Sequence, residues 1–124
     1  MICGVDNVFY FVSDMGRAAA FYRDVLGLTP ICLGDNWSTF DVGGFTLGLH
    51  STQGRPLLQN VVGEKGVIAG AQVTLRVDDV HRAYAELTQR GVEFVTPVIE
   101  QPWADLAKFV DPDGNRLNLR RAKP

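Results

Sequence analysis

A chain of 124 residues can build one compact core but not two independent ones, so a single domain over residues 1–124 is expected. Hydrophobic residues make up 46% of it and charged residues 21%, which is ordinary globular composition. A net charge of −2, with no basic cluster beyond the tail Arg120-Arg121-Ala122-Lys123, argues against a nucleic-acid partner. There is no apolar run of membrane-spanning length and no charged-then-apolar leader, so a cytoplasmic protein without membrane contact is expected. Two cysteines, Cys3 and Cys32, match no zinc spacing and are expected to be buried free thiols.

The first strand pattern runs from Gly4 to Val12 and is aromatic at Phe9, Tyr10 and Phe11. Asp14 follows as a helix N-cap, because its carboxylate can accept from the open amides of the first turn. The helical pattern Ala18, Phe21, Tyr22, Val25, Leu26 closes on Gly27, which suits a left-handed C-cap. Three β-patterned segments come next: Leu28 to Leu33, Trp37 to Val42, and Phe45 to His50, with Gly43-Gly44 as a hairpin signal between the last two. Residues 51–70 show no period and contain four glycines and Pro56. A connector of that length in a small domain is expected to be functional, here as a cover over a cavity.

The second half repeats the plan. A strand over 71–77 leads through Asp79 into a helix over 79–90 that stops at Gly91, and strands are expected near 92–99, 105–110 and 115–120. Asp111-Pro112-Asp113-Gly114-Asn115 supplies the last turn. Val12 and Gly27 are 15 residues apart, Val77 and Gly91 only 14. The predicted fold is therefore α+β: two βαβββ repeats, about 4–50 and 71–120, forming a cupped mixed sheet with the helices on its outer face. Function is to be sought in the cup.

Period-two alternation identifies the side chains that face it. Val73, Leu75 and Val77 pack under the second helix, which turns Gln72, Thr74 and Arg76 the other way. Leu117 and Leu119 do the same for Arg116, Asn118 and Arg120, and Leu47 and Leu49 for Thr46, Gly48 and His50. The repeat adds Asn7, Phe9 and Phe11. An antiparallel sheet can present a polar face to water. The aromatic content instead matches a ligand cleft, in which a few polar groups converge among apolar walls.

The segments Val12-Ser13-Asp14-Met15, Ala20-Phe21-Tyr22-Arg23-Asp24-Val25-Leu26-Gly27-Leu28, Val77-Asp78-Asp79-Val80, Gly91-Val92-Glu93-Phe94 and Phe109-Val110-Asp111-Pro112-Asp113-Gly114-Asn115-Arg116-Leu117 resemble those of the vicinal oxygen chelate superfamily. That family includes glyoxalase I, fosfomycin resistance enzymes, extradiol dioxygenases and bleomycin resistance proteins. The resemblance covers essentially the whole chain and implies paired βαβββ units, usually with a second subunit completing each cavity. It also implies metal ligands in the family's enzymes: a His or Gln seven residues before the capping Asp, a Glu in the hairpin strand, a His opening the second repeat, and a Glu four residues after the turn glycine. The matching positions here are Asn7, Gly48, Gln72 and Asn118. Amide oxygens bring no charge to offset the desolvation of a divalent ion, so no metal and no other cofactor is expected.

No catalytic residue is identified either. Neither cysteine has a neighbouring base, no nucleophile elbow occurs, and His81 beside Arg82 reads as surface. The expected protein is a homodimeric small-molecule binder of the bleomycin-resistance type, sequestering a partly aromatic antibiotic or metabolite. The candidate ligand-binding residues are Asn7, Phe9, Phe11, Trp37, Gly48, His50, Gln72, Arg76, Trp103 and Asn118. Trp37 and Trp103 are placed there for stacking, with the core and a dimer interface as their alternatives. Arg76 and Arg116 favour a neutral or anionic ligand over a cationic one. The alternatives are a glyoxalase-like lyase or isomerase with an atypical site, and a structural module with a filled cavity.

Overall fold

The computed structural model describes residues 1–57 and 70–124. They form two compact units, Met1–Leu58 and Gln59–Pro124. The first contains β1 (Val8–Val12), α1 (Met15–Ala20) with a π-helical turn at Phe21–Val25, β2 (Thr29–Leu33), β3 (Trp37–Val42) and β4 (Phe45–Ser51). The second contains β5 (Val73–Arg76), α2 (Val80–Gln89), β6 (Glu93–Phe94), β7 (Ile99–Glu100), β8 (Ala104–Val110) and β9 (Arg116–Ala122).

Each unit builds its own mixed sheet, in the order β1-β4-β3-β2 in one and β5-β9-β8-β6 in the other, with β7 also paired to β8. In both, the first strand lies parallel to the last (β1 on β4, β5 on β9) and the remaining pairs are antiparallel. The α+β class and the duplicated plan expected from the sequence are present. The notional cover 51–70 falls largely on residues outside those described.

The local chemistry follows the punctuation. Asp14 caps α1 by accepting from the Arg17 amide at 3.1 Å, and Asp79 caps α2 by accepting from Arg82 at 3.0 Å. Gly27 (φ 73°) and Gly91 (φ 88°) end the two helical segments in the left-handed region, where a side chain is strained. The π turn was not expected. It accounts for the spacing difference: the cap-to-glycine distance is 13 residues in the first unit (27 − 14) and 12 in the second (91 − 79). One wide turn, closed by the Leu26 amide on the Phe21 carbonyl at 3.0 Å, absorbs the extra residue. It leaves Tyr22 fully buried against Phe40.

Each core lies on the helix side of its sheet. Val12, Ala18, Tyr22, Phe40, Leu47 and Leu49 are inaccessible in the first unit; in the second, Ala107, Phe109 and Leu117 are inaccessible and Val80 and Leu119 almost so. The Val, Leu and Phe side chains among them stabilise by about 1.5–3 kcal/mol each when fully buried. Phe94 extends the second core, its ring tilted between those of Tyr84 at 4.3 Å and Phe109 at 5.5 Å.

Three expectations need correction. The first strand is shorter than 4–12, beginning at Val8. The strand expected over 92–99 is broken into β6 and β7, because Pro97 between them has no amide to give to the ladder. Both cysteines are exposed, not buried. Cys3 precedes β1, and Cys32 lies on β2, an edge strand in which every residue is exposed.

Candidate functional site

In the first unit, ladder register decides which side chains share the face away from α1. Phe9 lies across from Gly48 and Phe11 across from His50 in the parallel pair. The Gly43-Gly44 turn sets β3 against β4 so that Trp37 faces His50 and Thr39 faces Gly48. Phe9, Phe11, Trp37 and His50 therefore cluster on one surface. The Phe9 ring lies 5.4 Å from Phe11, 5.6 Å from Trp37 and 5.7 Å from His50, and His50 lies 5.2 Å from Phe11. Phe9 and Phe11 remain 42% exposed, an apolar surface on a sheet whose other face is already filled by the core.

Gly48 makes the arrangement possible. A Cβ built there would come within 2.5 Å of the Trp37 ring and 3.0 Å of the Phe9 Cβ. The indole thus occupies the space that any side chain at position 48 would need. His50 Nδ1 is 2.8 Å from the Ser51 carbonyl. A carbonyl only accepts, so Nδ1 donates to it, and in the neutral ring this leaves Nε2 as the acceptor.

In the second unit, Asn118 on β9 lies between Thr74 of β5 and Lys108 of β8. Its amide nitrogen donates to Gln72 Oε1 at 3.1 Å and to Thr74 Oγ1 at 3.4 Å. Its Oδ1 is buried without a hydrogen-bond partner among the described residues. A buried amide oxygen left so costs about 1–3 kcal/mol, which a donor from a ligand would recover. Arg76 pairs in register with Arg120 at the next position along this face. Trp103, before β8, is 55% exposed, and the Arg120 guanidinium lies 5.9 Å from its ring centre.

Of the residues expected at a site, Phe9, Phe11, Trp37, Gly48 and His50 are brought together in the first unit, and Gln72, Asn118 and Arg76 share a face in the second. Asn7 precedes β1, and its amide donates to Asp6 Oδ2 at 2.7 Å. Sequence reasoning missed Thr39, buried opposite Gly48, and Lys108, half-buried opposite Asn118. The signal for the first was present: a two-residue turn at 43–44 pairs positions whose numbers sum to 87, and 37 with 50 and 39 with 48 both do. On the helix side of the second sheet, His81, Glu100 and Asp105 hold their ligand atoms within 4.8 Å of one another. His81 Nε2 meets Glu100 at 2.7 Å and the Lys123 ammonium meets Asp105 at 3.1 Å, so this exposed cluster already carries its own counter-charge.

Residues 4–119 match the Glyoxalase/Bleomycin resistance protein/Dioxygenase superfamily, and the chain belongs to it. Among curated relatives, the metallothiol transferase FosB of Staphylococcus epidermidis is 34% identical over 56 residues, 45% of this chain and 40% of that protein. The matched stretch therefore spans less than half the length of that relative. Among solved structures, a glyoxalase/dioxygenase from Nostoc punctiforme superposes with a TM-score of 0.81 at 15% identity, covering 98% of this chain and 92% of that one. UcmS2 superposes with a TM-score of 0.75 at 27% identity, covering 97% and 98%.

The metal that the family implies can be tested against the four matching positions. Asn7, Gln72 and Asn118 offer neutral amides, and Gly48 offers no side chain and has an indole where one would extend. No anionic ligand is among them. This donor set does not fit a divalent transition ion.

Proposed function

We propose that this protein is a metal-independent binder of a small, partly aromatic molecule, an antibiotic or other metabolite that it sequesters and does not convert. The observation that supports this most is the replacement at Gly48. Where the family's enzymes carry a carboxylate, this chain has a glycine with Trp37 laid across it, extending an aromatic surface with Phe9, Phe11 and His50. Large rigid rings give contact area at low entropic cost, and flat aromatic ligands stack on such a surface. His50 Nε2, within ring contact of Phe9, Phe11 and Trp37, supplies an acceptor for a polar group of the ligand. In this reading residues 1–124 work as one domain in the cytoplasm, where two exposed free thiols are compatible with a reducing environment. The protein acts as a homodimer. No helix among the described residues is long and apolar enough to cross a membrane.

A catalytic reading, a lyase, isomerase or transferase with an atypical site, draws support from the likeness to a metallothiol transferase. Two measurements separate them. Elemental analysis of the purified protein should find no stoichiometric zinc, nickel, iron or manganese, and a chelator should leave the melting temperature unchanged. A tryptophan-fluorescence screen against aromatic metabolites should give saturable quenching without product formation. One equivalent of tightly held transition metal would move the assignment to the enzyme.

A further inference from the structure

The chain carries 12 Lys and Arg against 14 Asp and Glu, yet its charge is unevenly placed. On the five-stranded sheet, the face away from α2 presents Arg76 from β5, Arg116 and Arg120 from β9, and Lys108 from β8. The same stretches of these three strands add Gln72, Thr74, Asn118, Leu106 and Val110 to that face. Its one carboxylate among the described strand residues, Glu93 of β6, lies beyond Val110 at the Arg116 end, away from Arg76 and Arg120. A surface of four cations on an acidic protein stands out against its own composition.

The register makes the concentration costly. Arg76 lies directly beside Arg120 in the parallel ladder, and Lys108 lies opposite Asn118, diagonal to Arg120 on the adjacent strand and two strands from Arg76. Like charges directly across a strand pair destabilise it. Among the described residues, Arg76, Lys108 and Arg120 have no carboxylate partner. Arg120 is instead held over the Trp103 ring, which keeps a cation in place without neutralising it. A sheet that sets guanidinium beside guanidinium gains nothing from doing so while empty. It gains when an anion sits among them, since oxyanions accept paired hydrogen bonds from the guanidinium fork.

We propose that this face is an oxyanion-binding surface and that the ligand of this protein carries a carboxylate or phosphoryl group held by Arg76, Arg120 and Lys108. The assignment rests on the ligand-binding reading above and narrows the ligand to an anion. Exposed Trp103, beside Arg120, offers an aromatic contact within the same unit, which favours aromatic acids and their phosphorylated counterparts. The test is calorimetric titration of the full-length protein with naphthoate, its neutral isostere naphthamide, and naphthyl phosphate, at low and high salt. Both anions should bind at least tenfold more tightly than the amide, with the advantage shrinking as salt rises. Arg76→Gln should abolish that preference while raising the melting temperature of the unliganded protein, because it removes one of two facing like charges. A merely structural arginine would lower it. Equal binding of acid and amide overturns the oxyanion assignment and leaves the ligand-binding reading standing, as does a preference that survives both Arg76→Gln and Arg120→Gln. Failure of all three compounds to bind removes both.

Discussion

Replacing Gly48 by alanine isolates the contact on which the aromatic surface depends. The new Cβ would lie 2.5 Å from Trp37 Cη2, 3.1 Å from its Cζ2 and 3.0 Å from the Phe9 Cβ. Relaxed carbon contacts lie at about 3.5–4.0 Å, so roughly 1 Å of movement is required. Phe9 is anchored by its backbone in the parallel pair with Gly48 and can yield only slightly. The half-buried indole must therefore swing outward, losing its edge contacts with Phe9 at 5.6 Å and His50 at 6.0 Å. Each such ring pair contributes about 0.5–1.5 kcal/mol. Against this, alanine in a strand interior recovers roughly 0.5–1 kcal/mol of the entropic cost of glycine. The net expectation is destabilisation of about 1 kcal/mol, read as a fall of roughly 3–6 °C in thermal unfolding. It should be accompanied by a red shift in tryptophan emission and at least a tenfold loss of aromatic ligand affinity. In Trp37→Ala the same Gly48→Ala change should cost nothing or stabilise, giving a coupling energy of about 1 kcal/mol where independent sites would add within roughly 0.5 kcal/mol. Gly48→Ala with unchanged emission and strictly additive stability would refute the packing argument.

Asn118→Ala and Gln72→Ala should weaken ligand binding by about 1–3 kcal/mol each, because each leaves a buried polar partner unpaired, with little change in melting temperature; unaltered titrations of both variants would remove these amides from the site. Light scattering at micromolar concentration should show a homodimer, since β2 is an edge strand that exposes Ile31 and Leu33 and symmetric pairing is the common way to cover such an edge; a monomer would refute it. Asp14→Ala and Asp79→Ala should each lower stability by about 1 kcal/mol in denaturant unfolding, in proportion to the capping bonds they remove, and a neutral result at either would mean the first turn is satisfied by water alone.

Most of the fold was legible because short-range chemistry specified it. Asp14 and Asp79 announce helix starts, Gly27 and Gly91 their ends, and Gly43-Gly44 a turn whose two positive φ values, 60° and 87°, match the hairpin type that pairs of glycines favour. Alternation placed Leu47, Leu49, Leu117 and Leu119 in the core, and so also placed His50 and Asn118 opposite them. What was not legible depended on count or on edges. Cys32 was expected to be buried as a free thiol, but β2 has no neighbour on its outer side among the described residues and exposes both faces. The aromatic strand 8–12 is apolar on both faces, so alternation alone could not separate buried Tyr10 from exposed Phe9 and Phe11. The relation of Trp37 to Gly48 is a matter of atomic volume, which no periodicity encodes. Lys108 was overlooked because its strand was bounded without being faced.

The π turn at Phe21–Val25 also bears on how the two halves of the chain should be compared. An extra residue in a regular α-helix would turn everything beyond it by about 100°. Confined to one widened turn, it becomes a local bump, and equivalence resumes at the glycine that ends the helical segment. An alignment of the halves made straight through the helices is therefore out of step by one residue from the turn onward. Anchoring it instead at Asp14 with Asp79 and at Gly27 with Gly91, with a one-residue gap at the wide turn, restores the correspondence. Tyr22 then aligns with Leu87: both are buried, and the carbonyl of each accepts from the residue after its helix-ending glycine, Leu28 and Val92, at 3.0 Å.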